Sequence, residues 1–238
     1  MKAISIKTAW FLVKKNGMTG MPIWDERPRA ATFPPLPPNT WPRAVAVDPS
    51  RTVIPAGETA TVTALGQARP NSRVVPLSSF YSFQLTQESV DQLRRASIFG
   101  DAPEVGDHLA LVNFHFTTKE IPEWTWATLW WHDQPDQAPF GEGRPAEVAG
   151  VWRNYKMDVA FSMDTPQESD NTPNVIFNPW LEARFFNGAN SNCMTCHQLA
   201  VWPDQGFSVT RGSLPPDSPF FQGNTKADFL WSVILESK

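Results

Sequence analysis

Residues 108–132 read HLALVNFHFTTKEIPEWTWATLWWH, and this stretch carries the strongest structural signal in the chain. Two runs rich in β-branched and aromatic residues, 108–117 and 124–132, flank a short connection that contains proline. This pattern predicts two neighbouring antiparallel strands. Because side chains alternate across a strand, Asn113 and His115 are expected on one face of the first strand. The pair therefore favours a fold that is mainly β.

Segments outside this pair extend the β pattern. The other strand candidates are residues 3–13, 44–47, 59–65 and 152–163. Residues 85–97 predict the first helix, with Thr86 as its N-cap. Seven prolines within residues 22–42 predict an irregular connection packed on the body, which we favour over a partner-binding arm. The 23 prolines of the 238-residue chain also argue against a helical bundle, because each one removes a backbone donor.

The last third of the chain changes from strand-like to helix-like patterns. Short helices are predicted over residues 180–186, from about residue 190 onward, and over residues 225–235. The sequence thus divides into a β-rich body, residues 1–170, and a small helical segment, residues 171–238. We expect a sandwich- or barrel-like body with the helical segment packed on it.

The only two cysteines of the chain stand in the pentapeptide Cys193-Met194-Thr195-Cys196-His197. On a helical turn, residues three apart lie on one face, so both thiols can add to the two vinyl groups of a single haem. The adjacent His197 can then bind the haem iron as its proximal ligand. The motif therefore predicts one covalently attached haem c, bound by Cys193, Cys196 and His197.

Three other interpretations of the two cysteines have weaker support in the sequence. A thioredoxin-like redox pair would follow the first strand of a βαβ unit, and no such pattern surrounds residue 193. A zinc site would need a further ligand from a distant histidine, and structural zinc sites usually pair two ligand knuckles. A structural disulfide gives no role to His197.

A sixth iron ligand would have to come from the β-rich body. Only 41 residues follow His197, and they contain neither methionine nor histidine. His115 and His132 are the favoured candidates, because each is expected on a strand face towards the core, where an unpaired imidazole is costly. For either histidine alone, a hydrogen bond to a neighbour is an equally good explanation. The next candidates are Met157 and Met163, and the remaining alternative is an iron with an open side.

The charge and hydropathy of the chain exclude several classes of partner. The net charge is −4 and there is no stripe of Lys and Arg, so nucleic-acid binding is not expected. No run of about 18 apolar residues predicts a membrane-spanning helix. The first 20 residues lack the apolar run of a signal peptide. Because haem c is attached outside the bacterial cytoplasm, we expect a periplasmic or cell-surface protein whose export signal is missing from this sequence.

Four stretches of the sequence carry a family resemblance. They are IKTAW at residues 6–10, GDHLALVNFHFTTKEIPEWTWATLWWHD at 106–133, SNCMTCH at 191–197 and KADFLWS at 226–232. With them the chain resembles a poorly characterised group of bacterial exported cytochrome-c-like proteins, which combine a β-rich body with a single C-terminal CxxCH. The resemblance implies a haem c and an export pathway. It also implies that histidines matching His115 and His132 recur in the group.

These observations lead to three hypotheses about function. The favoured one is extracytoplasmic electron transfer to or from a redox partner protein, since an iron with two protein ligands exchanges electrons with little rearrangement. The second is a haem enzyme, peroxidase-like, or a small-molecule sensor in which His115 or His132 lies on an open distal side. The third is a binding module that presents tryptophans, with the haem as an accessory. The tryptophans concerned are Trp124, Trp126, Trp130 and Trp131.

Overall fold

The computed structural model describes residues 3–25, 34–99, 103–163, 174–203, 205 and 212–232, and its regular structure is mainly β. The strands in chain order are β1 (Ile4–Val13), β2 (Thr19–Ile23), β3 (Arg43–Asp48), β4 (Thr59–Ala64), β5 (Gln67–Pro76), β6 (Ser82–Gln84), β7 (His108–Thr118), β8 (Thr125–Trp131), β9 (Tyr155–Ala160), β10 (Val201–Trp202) and β11 (Thr225–Lys226). The helices are α1 (Gln87–Ala96), α2 (Pro179–Glu182) and α3 (Cys193–His197). In these ranges no helix is both long and apolar enough to cross a membrane.

The larger sheet is built around the antiparallel pair β7 and β8. β1 pairs with β7, β9 pairs with β8, and the short β6 adds to β7 beyond the end of β8. In this register His115 lies opposite Thr128 on β8 and opposite Lys7 on β1. The two strands predicted from residues 108–117 and 124–132 are therefore confirmed.

The smaller sheet has four strands in the order β2-β3-β5-β4, with a parallel pair at β3 and β5. It packs against one face of the larger sheet, where Val45 and Val47 of β3 meet Ala110 and Val112 of β7. This apolar layer is fully buried and forms the centre of the core. Within the described residues neither sheet closes on itself, so the barrel-like alternative for the body is wrong.

Two different elements pack on the opposite face of the larger sheet, namely α1 and the C-terminal segment. Near the start of β7, Leu109 packs with Val90 of α1, a helix capped by Thr86 as predicted. Towards the end of β7, the inward side chains are polar, namely Asn113, His115 and Thr117, and each is buried. The C-terminal segment covers this polar part of the sheet.

The proline-rich connection is anchored on the body near its two ends, as predicted, whereas residues 34–40 are exposed or only partly buried. Trp24 and Trp41 are buried and pack with Val175 and Phe177 of the C-terminal segment. Their indole rings form an edge-to-face pair with centroids 5.6 Å apart. Residues 26–33 of this connection lie outside the described ranges.

The C-terminal segment contains less helix than the sequence predicts. α2 covers three residues of the helix predicted over residues 180–186, and it begins one residue earlier, at Pro179. The helix predicted over residues 225–235 is wrong at its start, because Thr225–Lys226 is β11, paired with β10. A turn follows in which Asp228 and Phe229 both have positive φ, which a helix does not allow. Helix is present only at residues 231–232, and residues 233–235 lie outside the described part.

Candidate functional site

The CxxCH motif lies on α3, which begins two or three residues later than the sequence suggested. Asn192 caps this helix, since its side-chain oxygen accepts a hydrogen bond from the backbone N–H of Met194 at 3.0 Å. The helical turn brings Cys193 and Cys196 to the same side. The segment before α3 is tied to it by a bridge between Ile176 and Asn192. The two cysteines thus lie three residues apart on one capped helical turn.

Both cysteine thiols are buried, and neither forms a disulfide. Burial raises the pKa of Cys196 to about 12, and it raises the pKa of Cys193 well above its usual value. The thiol of Cys193 donates to the carbonyl oxygen of Ile176 at 3.4 Å. A redox-active cysteine pair needs a depressed thiol pKa to form the attacking thiolate. The environment therefore opposes the thioredoxin-like interpretation, while thioether formation before folding is not affected.

His197 ends α3 and is held by one strong contact. Its Nδ1 lies 2.7 Å from the carbonyl oxygen of Phe229. Because a carbonyl can only accept, Nδ1 carries the hydrogen, and in the neutral ring Nε2 keeps its lone pair. Burial lowers the pKa of His197 to about 4, so the ring is neutral at physiological pH. A neutral imidazole whose Nδ1–H is bonded to a backbone carbonyl is the form that binds a metal through Nε2.

His115 projects from β7 towards the C-terminal segment. Burial, together with the charges that His197 and Lys7 can carry, lowers its pKa to about 3. The ring of Trp126 links the two histidines, with centroids 4.2 Å from His197 and 6.0 Å from His115. The two imidazoles are therefore no further apart than the sum of those distances. The structure thus brings His115, predicted from the sequence, to the neighbourhood of the CxxCH helix.

Three successive inward side chains of β7 each leave a buried polar atom without a partner. They are Asn113 Nδ2, His115 Nδ1 and Thr117 Oγ1. An unsatisfied buried donor or acceptor typically costs about 1–3 kcal/mol. These three atoms lie in one row on the face of the sheet that meets α3, so the cost is concentrated beside the CxxCH helix.

His132 lies elsewhere in the molecule. It follows β8 by one residue and is four residues beyond Thr128, which corresponds to about 13 Å along a strand. Its Nε2 bonds the carbonyl oxygen of Trp24 at 3.2 Å, and its Nδ1 accepts from the backbone N–H of Gln134 at 2.9 Å. Both ring nitrogens are thus engaged, and the structure does not bring this residue to the CxxCH helix.

Of the two methionine candidates, one lies near the CxxCH helix and the other does not. Met157 on β9 lies directly opposite Leu129 on β8, so it shares that residue's face of the sheet, the face opposite to His115. Met163 is buried in a cluster with Trp126, Cys193 and Met194. Met163 therefore lies beside the motif but is packed as an ordinary apolar side chain.

The four tryptophans on and directly before β8 do not form a binding surface. Trp124, Trp126, Trp130 and Trp131 are between 1% and 3% exposed. A platform that stacks on a ligand needs an accessible ring face. The hypothesis that these four rings form a surface binding module is therefore wrong, and they are core residues.

Two acidic side chains near the cysteines could not be found from the sequence. Glu182 accepts a hydrogen bond from the backbone N–H of Asn178, and burial raises its pKa to about 7. Asp158 shares a face with Thr128, and burial raises its pKa as well. Both lie close enough to Cys193 for their charges to raise its pKa. No local motif marks either residue, because their burial depends on how the C-terminal segment meets the sheet.

The donor set fits a covalently bound haem better than a single metal ion. Within the described ranges, no three His, Cys, Asp or Glu side chains are arranged to hold a metal ion together. A haem c needs no such group, since its cysteines bond to the porphyrin and its iron takes one or two protein nitrogens.

Comparison with known proteins yields no matching family model, no matching curated protein and no matching solved structure.

Proposed function

We propose that the chain is a c-type cytochrome with one covalently bound haem, acting in electron transfer outside the cytoplasm. Cys193 and Cys196 would form the two thioether bonds, and His197 would bind the iron through Nε2. His115 would be the sixth ligand, supplied by the β-rich body. The haem would provide a one-electron couple whose potential depends on these axial ligands.

The observation that carries the proposal is the state of His197 at the end of the CxxCH helix. A histidine with this burial could have satisfied both nitrogens inside the protein. Instead Nδ1–H is fixed on the Phe229 carbonyl, which reserves Nε2 as an unprotonated donor. The same turn of helix presents both thiols. One short element thus carries all the protein groups that haem c attachment requires.

His115 is preferred to His132 as the sixth ligand on three grounds. It is neutral, its Nδ1 has no partner, and it shares Trp126 as a neighbour with His197. By contrast, both nitrogens of His132 are engaged. An iron held between the sheet and α3 would change little in geometry when its charge changes, which suits electron transfer.

The extracytoplasmic location and the redox partner belong to the same proposal. They follow from the haem, because its covalent attachment takes place outside the cytoplasm, and from the resemblance to exported cytochrome-c-like proteins. A simple carrier needs fewer residues than this chain contains. The two sheets would therefore serve to dock a partner or to control access to the haem.

A second function, a haem enzyme or a small-molecule sensor, is favoured by one specific observation. Asn113 and Thr117 flank His115 on the same strand and also have unpartnered buried atoms. On an open distal side these groups could hydrogen-bond a small polar ligand of the iron, with His115 as an acid–base group instead of a ligand.

Expression with a haem-c maturation system and an export signal tests the proposal and separates the two functions. A denaturing gel stained for haem should show a stained band that is lost in Cys193→Ala/Cys196→Ala. Absorption spectra of the reduced protein should show sharp low-spin bands that do not change with carbon monoxide. A high-spin spectrum that shifts with carbon monoxide would support the enzyme or sensor function. An unstained wild-type band would refute both.

A further inference from the structure

Lys119 connects the turn between β7 and β8 with the turn after β11, whose Phe229 carbonyl contacts His197. It belongs to the turn between β7 and β8, where its Nζ donates to the carbonyl oxygen of Pro122 at 2.7 Å. The same Nζ forms an ion pair with Asp228 at 2.6 Å. It also lies 5.2 Å above the ring centroid of Trp124, within the range of a cation–π contact. One side chain thus bridges the hairpin and the turn after β11.

The turn after β11 has an unfavourable backbone conformation. Asp228 and Phe229 are consecutive non-glycine residues with φ of +48° and +68°. L-residues seldom adopt this left-handed region, and two in succession require support from the surroundings. Part of that support comes from the backbone, where Ala227 donates to Ala200 at 2.9 Å and Leu230 donates to Ala227 at 2.9 Å. The ion pair with Lys119 holds the first of the two residues from its side chain.

This turn determines where the carbonyl of Phe229 points. In the left-handed conformation the Phe229 oxygen meets His197 Nδ1 at 2.7 Å. A change of the turn to ordinary negative φ would rotate the peptide planes on both sides of the two residues. The hydrogen bond that fixes the tautomer of His197 therefore depends on the conformation of Asp228 and Phe229.

We propose that Lys119 and Asp228 are positioning residues that hold the Phe229 carbonyl on His197 and thereby tune the axial ligand. The inference depends on the proposed function, in which His197 binds the iron. A carbonyl accepting from Nδ1–H makes the imidazole a stronger electron donor to the metal. Loss of that hydrogen bond should make His197 a weaker electron donor to the iron and so favour the ferrous state.

The ion pair between Lys119 and Asp228 contributes little to the folding stability of the protein. The side chains of Lys119 and Asp228 are 27% and 56% exposed. Exposed pairs of this kind contribute little to folding, since solvent screens them. The chain offers a matched pair away from the site, in which Lys15 contacts Glu104 at 3.2 Å and donates to the Val105 carbonyl at 3.0 Å.

The test is the reduction potential of Lys119→Met, Asp228→Asn and the control Lys15→Met. Positioning predicts that both site variants raise the potential. At a fixed solution potential, the ferrous-to-ferric ratio should rise roughly three- to tenfold. A tenfold rise corresponds to an increase of about 59 mV in the reduction potential of a one-electron couple. Lys119→Arg should keep the wild-type potential, because its guanidinium can still reach both acceptors, and Lys15→Met should leave it unchanged.

The direction in which Lys119→Met shifts the reduction potential distinguishes the positioning effect from the effect of removing a positive charge. Removing a positive charge near the iron favours the ferric state and would lower the potential, which is the opposite of the positioning effect. A lower or unchanged potential in Lys119→Met would overturn the inference and leave the cytochrome proposal intact. Absence of covalent haem from the wild-type protein would instead refute the proposed function, a different result read on the same preparation.

Discussion

The indole of Trp126 packs on the imidazole of His197 with ring centroids 4.2 Å apart, across the boundary between the sheet and the CxxCH helix. Trp126 is 1% exposed, and its Nε1 donates to the Glu123 carbonyl at 3.0 Å, so the ring has one fixed orientation. The position of His197 is therefore set from two sides, by a rigid ring and by the Phe229 carbonyl.

Trp126→Leu should lower the free energy of unfolding by about 3 kcal/mol, because it leaves a cavity under α3 that the surroundings fill only in part. Urea unfolding monitored by circular dichroism measures this loss. The control is Trp202→Leu, since Trp202 is 44% exposed and its replacement should change stability by less than about 0.5 kcal/mol. Equal losses in the two variants would contradict the packing argument.

The two candidate histidines should behave differently when each is replaced in the haem-loaded protein. His115→Ala should convert a low-spin spectrum into a high-spin one that responds to carbon monoxide, since the variant lacks the proposed sixth ligand. His132→Ala should keep the low-spin spectrum, because that ring is engaged with Trp24 and Gln134. If His132→Ala gave the high-spin spectrum instead, the ligand assignment would be reversed.

Asn178 fastens the C-terminal segment to the sheet and is fully buried. Its side-chain amide donates to Thr128 Oγ1 at 2.7 Å and to Asn113, and its oxygen caps α2 by accepting from Trp180 N at 3.1 Å. Asn178→Ala removes these bonds and leaves buried partners unsatisfied, so we expect a loss of about 2–4 kcal/mol in unfolding free energy.

Thr86→Ala is the matched control for Asn178→Ala. Thr86 also caps a helix, accepting from Ser89 N at 3.3 Å, but this bond lies at the surface. Its loss should cost only about 1 kcal/mol. Chemical denaturation of the two variants side by side would show whether the additional loss at Asn178 is real.

The part of the fold that local pattern determines was predictable, and the part that depends on distant pairing was not. Alternating apolar residues and a short turn sufficed for the β7–β8 pair, because its partners are close in sequence. Residues 225–235 have helical spacing, yet β11 pairs with β10 and the turn at Asp228 follows. Tertiary contacts overrode the local helical preference there.

The same distinction between local pattern and distant contacts applies to the candidate site. The cysteines and His197 form a local motif, so the sequence identified them directly. The inward face of His115 was predicted from the period of the strand, and its burial is confirmed. The burial of Glu182 and the turn that aims Phe229 arise from segments far apart in the chain. No local pattern of residues encodes such a contact.

His132 should make the stability of the protein depend on pH. Burial lowers its pKa to about 4 in the folded state, against about 6.5 in the unfolded chain. Above pH 6.5 the residue is neutral in both states and contributes nothing. Between pH 6.5 and 4 only the unfolded chain takes up the proton, so folding is progressively disfavoured as the pH falls.

When the pH is lowered from 7 to 5, protonation of this residue in the unfolded chain should therefore lower the free energy of unfolding by about 2 kcal/mol. The loss is about 1.36 kcal/mol for each pH unit below 6.5. His132→Gln cannot take up a proton and should lose that much less than the wild type over the same interval. Urea unfolding of both proteins at the two pH values measures the difference. Equal losses would mean that His132 is protonated in the folded state, and its contact with the Trp24 carbonyl would then have to be charge-assisted.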